Sequence, residues 1–460
     1  MKEKRNIPVE KNGVYTVEIT GISSEGNGIA QIDGYVVFVP QTVEGDLADI
    51  LIVKAKSAYG FGKLLELKRP SPKRCKPACA AFSRCGGCQL MHIAYKEQLK
   101  LKERTVRDAL ERIGGYRDFQ MEPIIGMEEP WGYRNKTVFP IGQNREGKPV
   151  CGFYAQRSHT IIPVDVCPIG PEINRDIIST VLEHMNRYGI SCYNEISHRG
   201  LVRRLFTRFG RSTGEIMVIL SVNGKYIPQE AELVKALLAV SDRIVSVILN
   251  IHTKQTNLVL GEKNRVLYGR GEIRDMLLGN EFEISPYSFY QVNPQQTERL
   301  YQKAIEYAGI GKQDHVMDLY CGIGTISLSC ARYAGTVTGV EIVPEAVEDA
   351  KANARRNRLE NVKFYCSDAA QLVPKLIEQG ERPDVVILDP PRKGSDPATL
   401  KAICEAKPRR IVYISCNPAT LARDVAALKE WGYGIEQVCP VDMFPMTMHV
   451  ETVVMLRKSN

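Results

Sequence analysis

Residues 410–418 read Arg-Ile-Val-Tyr-Ile-Ser-Cys-Asn-Pro, an apolar, β-branched run that brings one thiol, Cys416, to its end. Such a run predicts a buried strand, and Pro418 a turn into the helical stretch 419–431, with Thr420 and Asp424 early in it. A thiol at a strand-to-helix junction lies near the free N–H groups of the helix start, which favour the thiolate and hence nucleophilic chemistry. Most single cysteines are small buried hydrophobes. The rest of the chain must decide between these readings.

A second dense stretch is Cys79-x5-Cys85-Gly86-Gly87-Cys88, with Cys75 four residues ahead of it. Thiols this close, behind a polar start (Met1-Lys2-Glu3-Lys4-Arg5) with no apolar leader, point to metal rather than disulfides. Three ligands in one loop need a fourth. Cys75 would complete a local four-thiolate zinc site. A radical S-adenosylmethionine pattern would need a cysteine at Phe82 and is excluded.

The elements that must position Cys416 lie upstream. Residues 315–320 predict a strand, Cys321-Gly322-Ile323-Gly324-Thr325 a tight turn opening a helix, and 336–340 a second strand ending in Glu341. Glycines let the backbone approach a ligand, and an acid at the second strand's tip suits a ribose diol. The third glycine of the dinucleotide fingerprint is missing. A third strand leads to Cys366-Ser367-Asp368-Ala369, and a fourth, 384–388, to Asp389-Pro390-Pro391-Arg392. Each turn or carboxylate falls at a strand's C-terminal end, where open α/β sheets bind ligands. The segment Asp318-Leu319-Tyr320-Cys321-Gly322-Ile323-Gly324 resembles the first motif of S-adenosylmethionine-dependent methyltransferases.

Together, Asp389-Pro390-Pro391-Arg392-Lys393-Gly394, the stretch from Ile414 to Asp424, and His449-Val450-Glu451-Thr452-Val453 resemble the RNA uracil-5-methyltransferase family over essentially the whole chain. The resemblance implies Cys416 as nucleophile and Glu451 as general base. It implies S-adenosyl-L-methionine contacts at Gln291, Tyr320, Glu341 and Asp389, with Asp368 at the usual adenine position; Asp389 could alternatively face the target base. Uracil C5 is too poor a nucleophile to take a methyl group unaided. Thiolate addition at C6 concentrates electron density on C5, and a base must then remove the C5 proton before the thiol leaves. Apolar neighbours on a probable strand should raise the Glu451 pKa toward that use. For the cysteines the resemblance implies a [4Fe-4S] cluster on Cys79, Cys85, Cys88 and the distal Cys167, whose Cys-Pro pair recurs in ferredoxin-type sites.

Short strands and turns from Val9 to Leu67 read as a five-stranded OB-like barrel. Residues 21–30 and Phe38-Val39-Pro40 resemble the TRAM domain, an RNA-binding module. With the cysteine cluster, this sets the chain apart from shorter tRNA members of the family and implies a 23S ribosomal RNA substrate, folded and with a flipped uridine. A tRNA uridine methyltransferase and a non-catalytic rRNA-binding assembly factor are the alternatives.

The expected chain is multidomain α/β. Residues 5–65 form the TRAM barrel and 66–270 a central β-rich iron–sulfur domain. Residues 271–460 form a Rossmann-like methyltransferase domain, and the resemblance implies that 93–122 pack on it. A length of 460 residues accommodates two or three domains. Thirteen cysteines, an odd number, indicate a reducing compartment, and no apolar run is long enough to span a membrane. The expectation is a cytoplasmic monomer. A net charge of +8 suits a polyanionic partner. Basic residues cluster at 54–76, and Arg199, Arg203, Arg204, Arg208 and Arg211 alternate with apolar residues as the basic face of a strand would.

Overall fold

The computed structural model describes residues 7–458 apart from 157 and 257, so the first two residues of the expected barrel lie outside the described residues. The N-terminal unit is one sheet of six strands, not five. Their order is Val14–Glu18, Leu47–Ala55, Tyr59–Arg69, Tyr35–Val39, Gly28–Ile32 and Gly21–Ile22. Alternation fixes its inner face: Val37, Val39, Ile50 and Ile52 are fully buried in a core of their own.

The middle region carries a seven-stranded sheet with the wholly buried strand Ile216–Val222 fifth in its order, next to the central one. This strand pairs antiparallel with Val202–Phe209 but parallel with Ile244–Ile251. The parallel pairing requires a crossover, which the helix Glu230–Val240 supplies. The arginines of Val202–Phe209 depart from expectation. Arg203 is buried and donates to the carbonyls of His252 (2.7 Å) and Lys254, with its guanidinium 4.1 Å from the Tyr193 ring centre. Arg208 is buried on the carbonyls of Pro286 and Ser288, and Arg204 pairs with Glu195. The sheet buries Arg203 and Arg208 and leaves Arg204 only partly exposed, so these three fasten loops instead of forming an RNA-facing basic strip.

The C-terminal sheet has eight strands. Five parallel strands run in the order Val362–Cys366, Thr336–Glu341, His315–Leu319, Val385–Leu388 and Arg410–Ser415. Glu451–Lys458 and Tyr433–Val441 then add antiparallel. The last strand, Gln120–Met121, comes from far upstream, and the helix Tyr95–Arg112 just before it packs on the helix Pro418–Glu430. Alternate residues of the central strands enter two cores, Val385, Ile387, Val412 and Val453 on one face, Val386, Leu388, Ile411 and Val454 on the other. The first core also takes Phe206, Met217 and Ile248, so the middle sheet and the methyltransferase-like sheet share apolar packing. No helix among the described residues is long and apolar enough to cross a membrane.

Candidate active site

Strand register brings Cys416 and Glu451 together. Ser415 lies opposite Thr452 on the antiparallel neighbour, so the next residue of one strand and the first of the other meet at the same sheet end. Asp389 follows the adjacent parallel strand Val385–Leu388. These three residues line a cleft of about 1190 Å³ together with Gln291, Tyr320, Glu341 and Asp368. Seven residues from five strand ends and two loops thus share one cavity.

Electrostatics at the Cys416 end reverse one expectation. Helix-start N–H groups were to favour the thiolate, yet burial, then the carboxyls of Glu451 and Asp389, push the thiol up to about 11. The helix start is already capped by Asn417, whose side chain accepts from the Ala419 N–H, and two nearby carboxylates outweigh a partial dipole charge. Glu451 is buried, its Oε2 has no hydrogen-bond partner, and burial and Asp389 hold its carboxyl well above the ordinary range. Asp389 keeps some exposed area inside the cleft, and the surrounding protein still raises it to about 7. Arg392 opposes these shifts at both Cys416 and Glu451.

The turn that carries Asp389 and Arg392 is tied to the helix after Cys416. The Arg392 carbonyl accepts from Asn417 Nδ2 (3.3 Å) and Thr420 Oγ1 (3.2 Å), and that of Lys393 from Arg423 (2.9 Å). Asp424 accepts from the Ser395 N–H and the Tyr413 hydroxyl. Thr420 and Asp424 are therefore struts.

At the other end, Glu341 Oε2 accepts from the Gly322 N–H (3.0 Å), and its Oε1 from the N–H groups of Ile342 and Val343. Gly324 has φ +84°, and an added Cβ would stand 2.9 Å from the Phe364 ring, so the turn needs glycine. Tyr320, at φ 67°, shares a hydrogen bond with Ser395 Oγ (3.0 Å). Asp368 caps the helix Ala369–Glu378 through the Ala370 N–H. Gln291 is held from behind, its carbonyl accepting from Asn135 Nδ2. Below the turn, Asp318 is fully buried and raised to about 7, although the side chain and backbone of Ser327 both donate to it.

The sequence reading gave no role to Arg392, Phe444 or His449, which also line the cleft. Arg392 and His449 stand inside the motifs quoted above, two or three residues from the carboxylates. Phe444, edge-on to His449 at 5.9 Å, lies in an irregular loop with no periodic signal.

Cys79, Cys85, Cys88 and Cys167 gather away from this cleft. Cys88 is raised to about 12 by burial and then by Cys167, Cys85 and Cys79, and Cys167 by burial with Cys79 and Cys85. Two apolar clusters flank them, both containing Cys79 and Cys167. Cys85 Sγ accepts from the Gly87 N–H at 3.4 Å. Cys75 stands apart, its thiol donating to the Met91 carbonyl. Among the described residues no group of three or more His, Cys, Asp or Glu side chains is set to hold a metal ion.

Residues 213–459 match the tRNA (uracil-5-)-methyltransferase family, and residues 8–65 the TRAM domain. An uncharacterised RNA methyltransferase of Halalkalibacterium halodurans is 46% identical over 99% of this chain and 100% of its own. One of Staphylococcus aureus is 41% identical over 97% and 98%. Among solved structures, the tRNA (uracil-54, C5)-methyltransferase of Pyrococcus abyssi, in complex with S-adenosyl-L-homocysteine, superposes with a TM-score of 0.78 at 26% identity, over 96% of this chain and 100% of that one. The fold and these likenesses define an S-adenosylmethionine-dependent RNA methyltransferase. The chain belongs to the tRNA (uracil-5-)-methyltransferase family and carries an N-terminal TRAM domain.

Proposed function

We propose that this protein methylates C5 of a uridine in 23S rRNA through a covalent bond between Cys416 and C6. The observation that carries the chemistry is the meeting of a thiol with two carboxyls of raised pKa, one with an unpartnered buried oxygen, at one end of the cleft. The other end, lined by Glu341, Asp368, Gln291 and Tyr320, suits S-adenosylmethionine: Glu341 would hold the ribose diol, Asp368 the adenine, and Gln291 and Tyr320 would contact the rest of the molecule. Crowded acids at Asp318, Asp389 and Glu451 also favour a cationic ligand. That ligand supplies the methyl group.

Cys416 gives up its proton to water and attacks C6 of a uracil turned out of its stack, and the C5–C6 electron pair moves onto C5 and O4. C5 then takes the methyl group with that electron pair, while the electrons of the broken S–CH3 bond stay on the donor sulfur. Glu451 accepts the C5 proton, the electrons re-form the C5–C6 double bond, and the sulfur leaves C6. Arg392 supports the thiolate and the developing enolate charge.

Cys79, Cys85, Cys88 and Cys167 would hold a [4Fe-4S] cluster. The donor set is all thiol, with a backbone N–H on Cys85, and a cubane holds its four ligand sulfurs further apart than a single ion does. The role assigned to it is structural.

Substrate choice has a second reading. The Pyrococcus abyssi enzyme acts on tRNA and matches almost the full length of this chain. Length and domain content therefore do not separate rRNA from tRNA, and tRNA stands beside 23S rRNA. The deciding experiment offers the purified protein 23S rRNA and tRNA, each also made with 5-fluorouridine, and maps 5-methyluridine. Wild type should methylate 23S rRNA and trap a covalent adduct on the fluorinated form, and Cys416→Ala should do neither. Methylation of tRNA alone selects the second reading, and methyl transfer by Cys416→Ala overturns the mechanism.

A further inference from the structure

Alternation along Tyr35–Val39 sends Val37 and Val39 into the core and turns Phe38 outward. Its parallel neighbour sets Tyr59 opposite Val36 and Phe61 opposite Phe38. The three rings form a half-exposed cluster, with centres 5.7 Å (Phe38–Tyr59), 6.0 Å (Phe38–Phe61) and 5.6 Å (Tyr59–Phe61) apart. Lys56 Nζ stands over it, 4.8 Å from the Tyr59 centre and 5.8 Å from that of Phe61. Lys54 lies opposite Phe61 on the next strand, and Lys63 follows Phe61 by two, so both share this face.

Charge separates this end of the domain from the other. Lys68, Arg69, Lys73 and Arg74 are paired with Asp49, Glu18, Glu44 and Asp46 respectively. Among the described residues no carboxylate pairs with Lys54, Lys56 or Lys63. Rings that core packing does not consume, next to cations without counter-charges, suit a ligand with both flat π-faces and phosphates. The rings are tilted against one another, which suits splayed bases of a single strand better than a closed duplex.

Position gives the surface its use. The strand beyond Tyr35–Val39 is Gly28–Ile32, followed by Gly21–Ile22 at the sheet edge. Ile22 packs on the apolar cluster that contains Met448, the neighbour of the cleft residue His449. Gly26, at φ +80°, comes so close that an added Cβ would stand 3.1 Å from Met448 Cγ. Two strand spacings, about 10 Å, therefore carry a chain from the Met448 edge to the ring cluster.

We propose that Phe38, Tyr59 and Phe61, with Lys54, Lys56 and Lys63, form a stacking platform for unpaired bases of the RNA strand that flanks the target uridine. The proposal rests on the RNA-methylating reading above. Its test is binding of single-stranded oligouridine by the full chain. Tyr59→Leu and Phe61→Leu keep apolar bulk and remove the ring. Each should weaken binding about 5- to 100-fold, as loss of one base–aromatic stack does. Lys54→Ala and Lys63→Ala should each lower the slope of log affinity against log salt by about 0.7. Unfolding temperature and S-adenosylhomocysteine binding report whether the Leu variants fold. Should they not, Tyr59→Trp decides: its indole fluorescence should be quenched by oligouridine at wild-type affinity. Folded Leu variants that bind like wild type, or an unquenched indole, overturn the platform. Binding needs no methyl transfer, so a protein that methylates no uridine yet shows the quench removes the proposed function and leaves the platform standing.

Discussion

Cys416 is the residue on which the chemistry turns, and its surroundings at rest oppose its ionisation. Burial and the carboxyls of Glu451 and Asp389 hold the thiol near 11, against the opposing pull of Arg392 and a backbone hydrogen bond to the sulfur. Below that value the thiolate fraction rises about tenfold per pH unit. Alkylation of Cys416 by iodoacetamide in the ligand-free protein, followed on its peptide by mass spectrometry, should therefore be slow at neutral pH and climb steeply through the alkaline range. Removing a negative neighbour lowers the thiol pKa, so Glu451→Gln and Asp389→Asn should each speed labelling at fixed pH, and Arg392→Ala should slow it. A flat profile would mean that the thiol is already ionised and the acids lie elsewhere. A strand ending in Ser-Cys-Asn-Pro was legible in the sequence, whereas the sign of its electrostatics was not. The opposing carboxylates arrive from residues 389 and 451, across two strand pairings that no local pattern encodes.

Among the elements, the helix Tyr95–Arg112 and the loop before Glu451–Lys458 depend on each other. Lys102, fully buried, donates to Asp442 Oδ1 at 2.5 Å and to the Phe444 carbonyl at 3.0 Å, and Tyr95 also donates to Asp442. Burial pulls the ammonium down from its ordinary value and Asp442 pulls it back. A buried pair adds little net stability, but removing one partner strands the other. Lys102→Met should therefore destabilise by about 3–5 kcal/mol in chemical denaturation. Lys102→Met with Asp442→Asn should recover much of that loss. Methyl transfer should fall in the single variant, because Phe444 and His449, two walls of the cleft, ride on this loop. Equal stability of wild type and single variant would place the ammonium in water instead. The helix itself is readable from its amphipathic spacing. The buried ion pair is not, since Lys102 and Asp442 are 340 positions apart.

In the whole molecule, three units meet on residues 442–448. The Met446 carbonyl accepts from the N–H groups of Gln89 and Leu90, immediately after Cys88, and the Met446 N–H donates to Gln98. Tyr133 donates to the Pro445 carbonyl, and Ile22 of the N-terminal sheet packs on the apolar cluster that contains Met448. Motifs with a fixed local spacing, such as Cys79 to Cys88 or Asp389 to Arg392, stand out in one sequence because their chemistry is contiguous. This junction does not, because its bonds run mostly through backbone carbonyls, which carry no residue signature. The junction gives the cysteine loop a reach beyond itself. Cys167 joins that loop from a distant part of the middle region, so its thiol closes a long chain segment around the other three. Protein purified without air should be brown and hold iron and sulfide. Cys167→Ser should lose both, expose residues 79–88 to proteolysis and speed amide exchange at 442–448, while Cys75→Ser should change none of these. Exchange at 442–448 that ignores the loss of iron would confine the cluster to its own loop. Colourless protein with stoichiometric zinc that depends on Cys75 would replace the cluster with a four-thiolate zinc site.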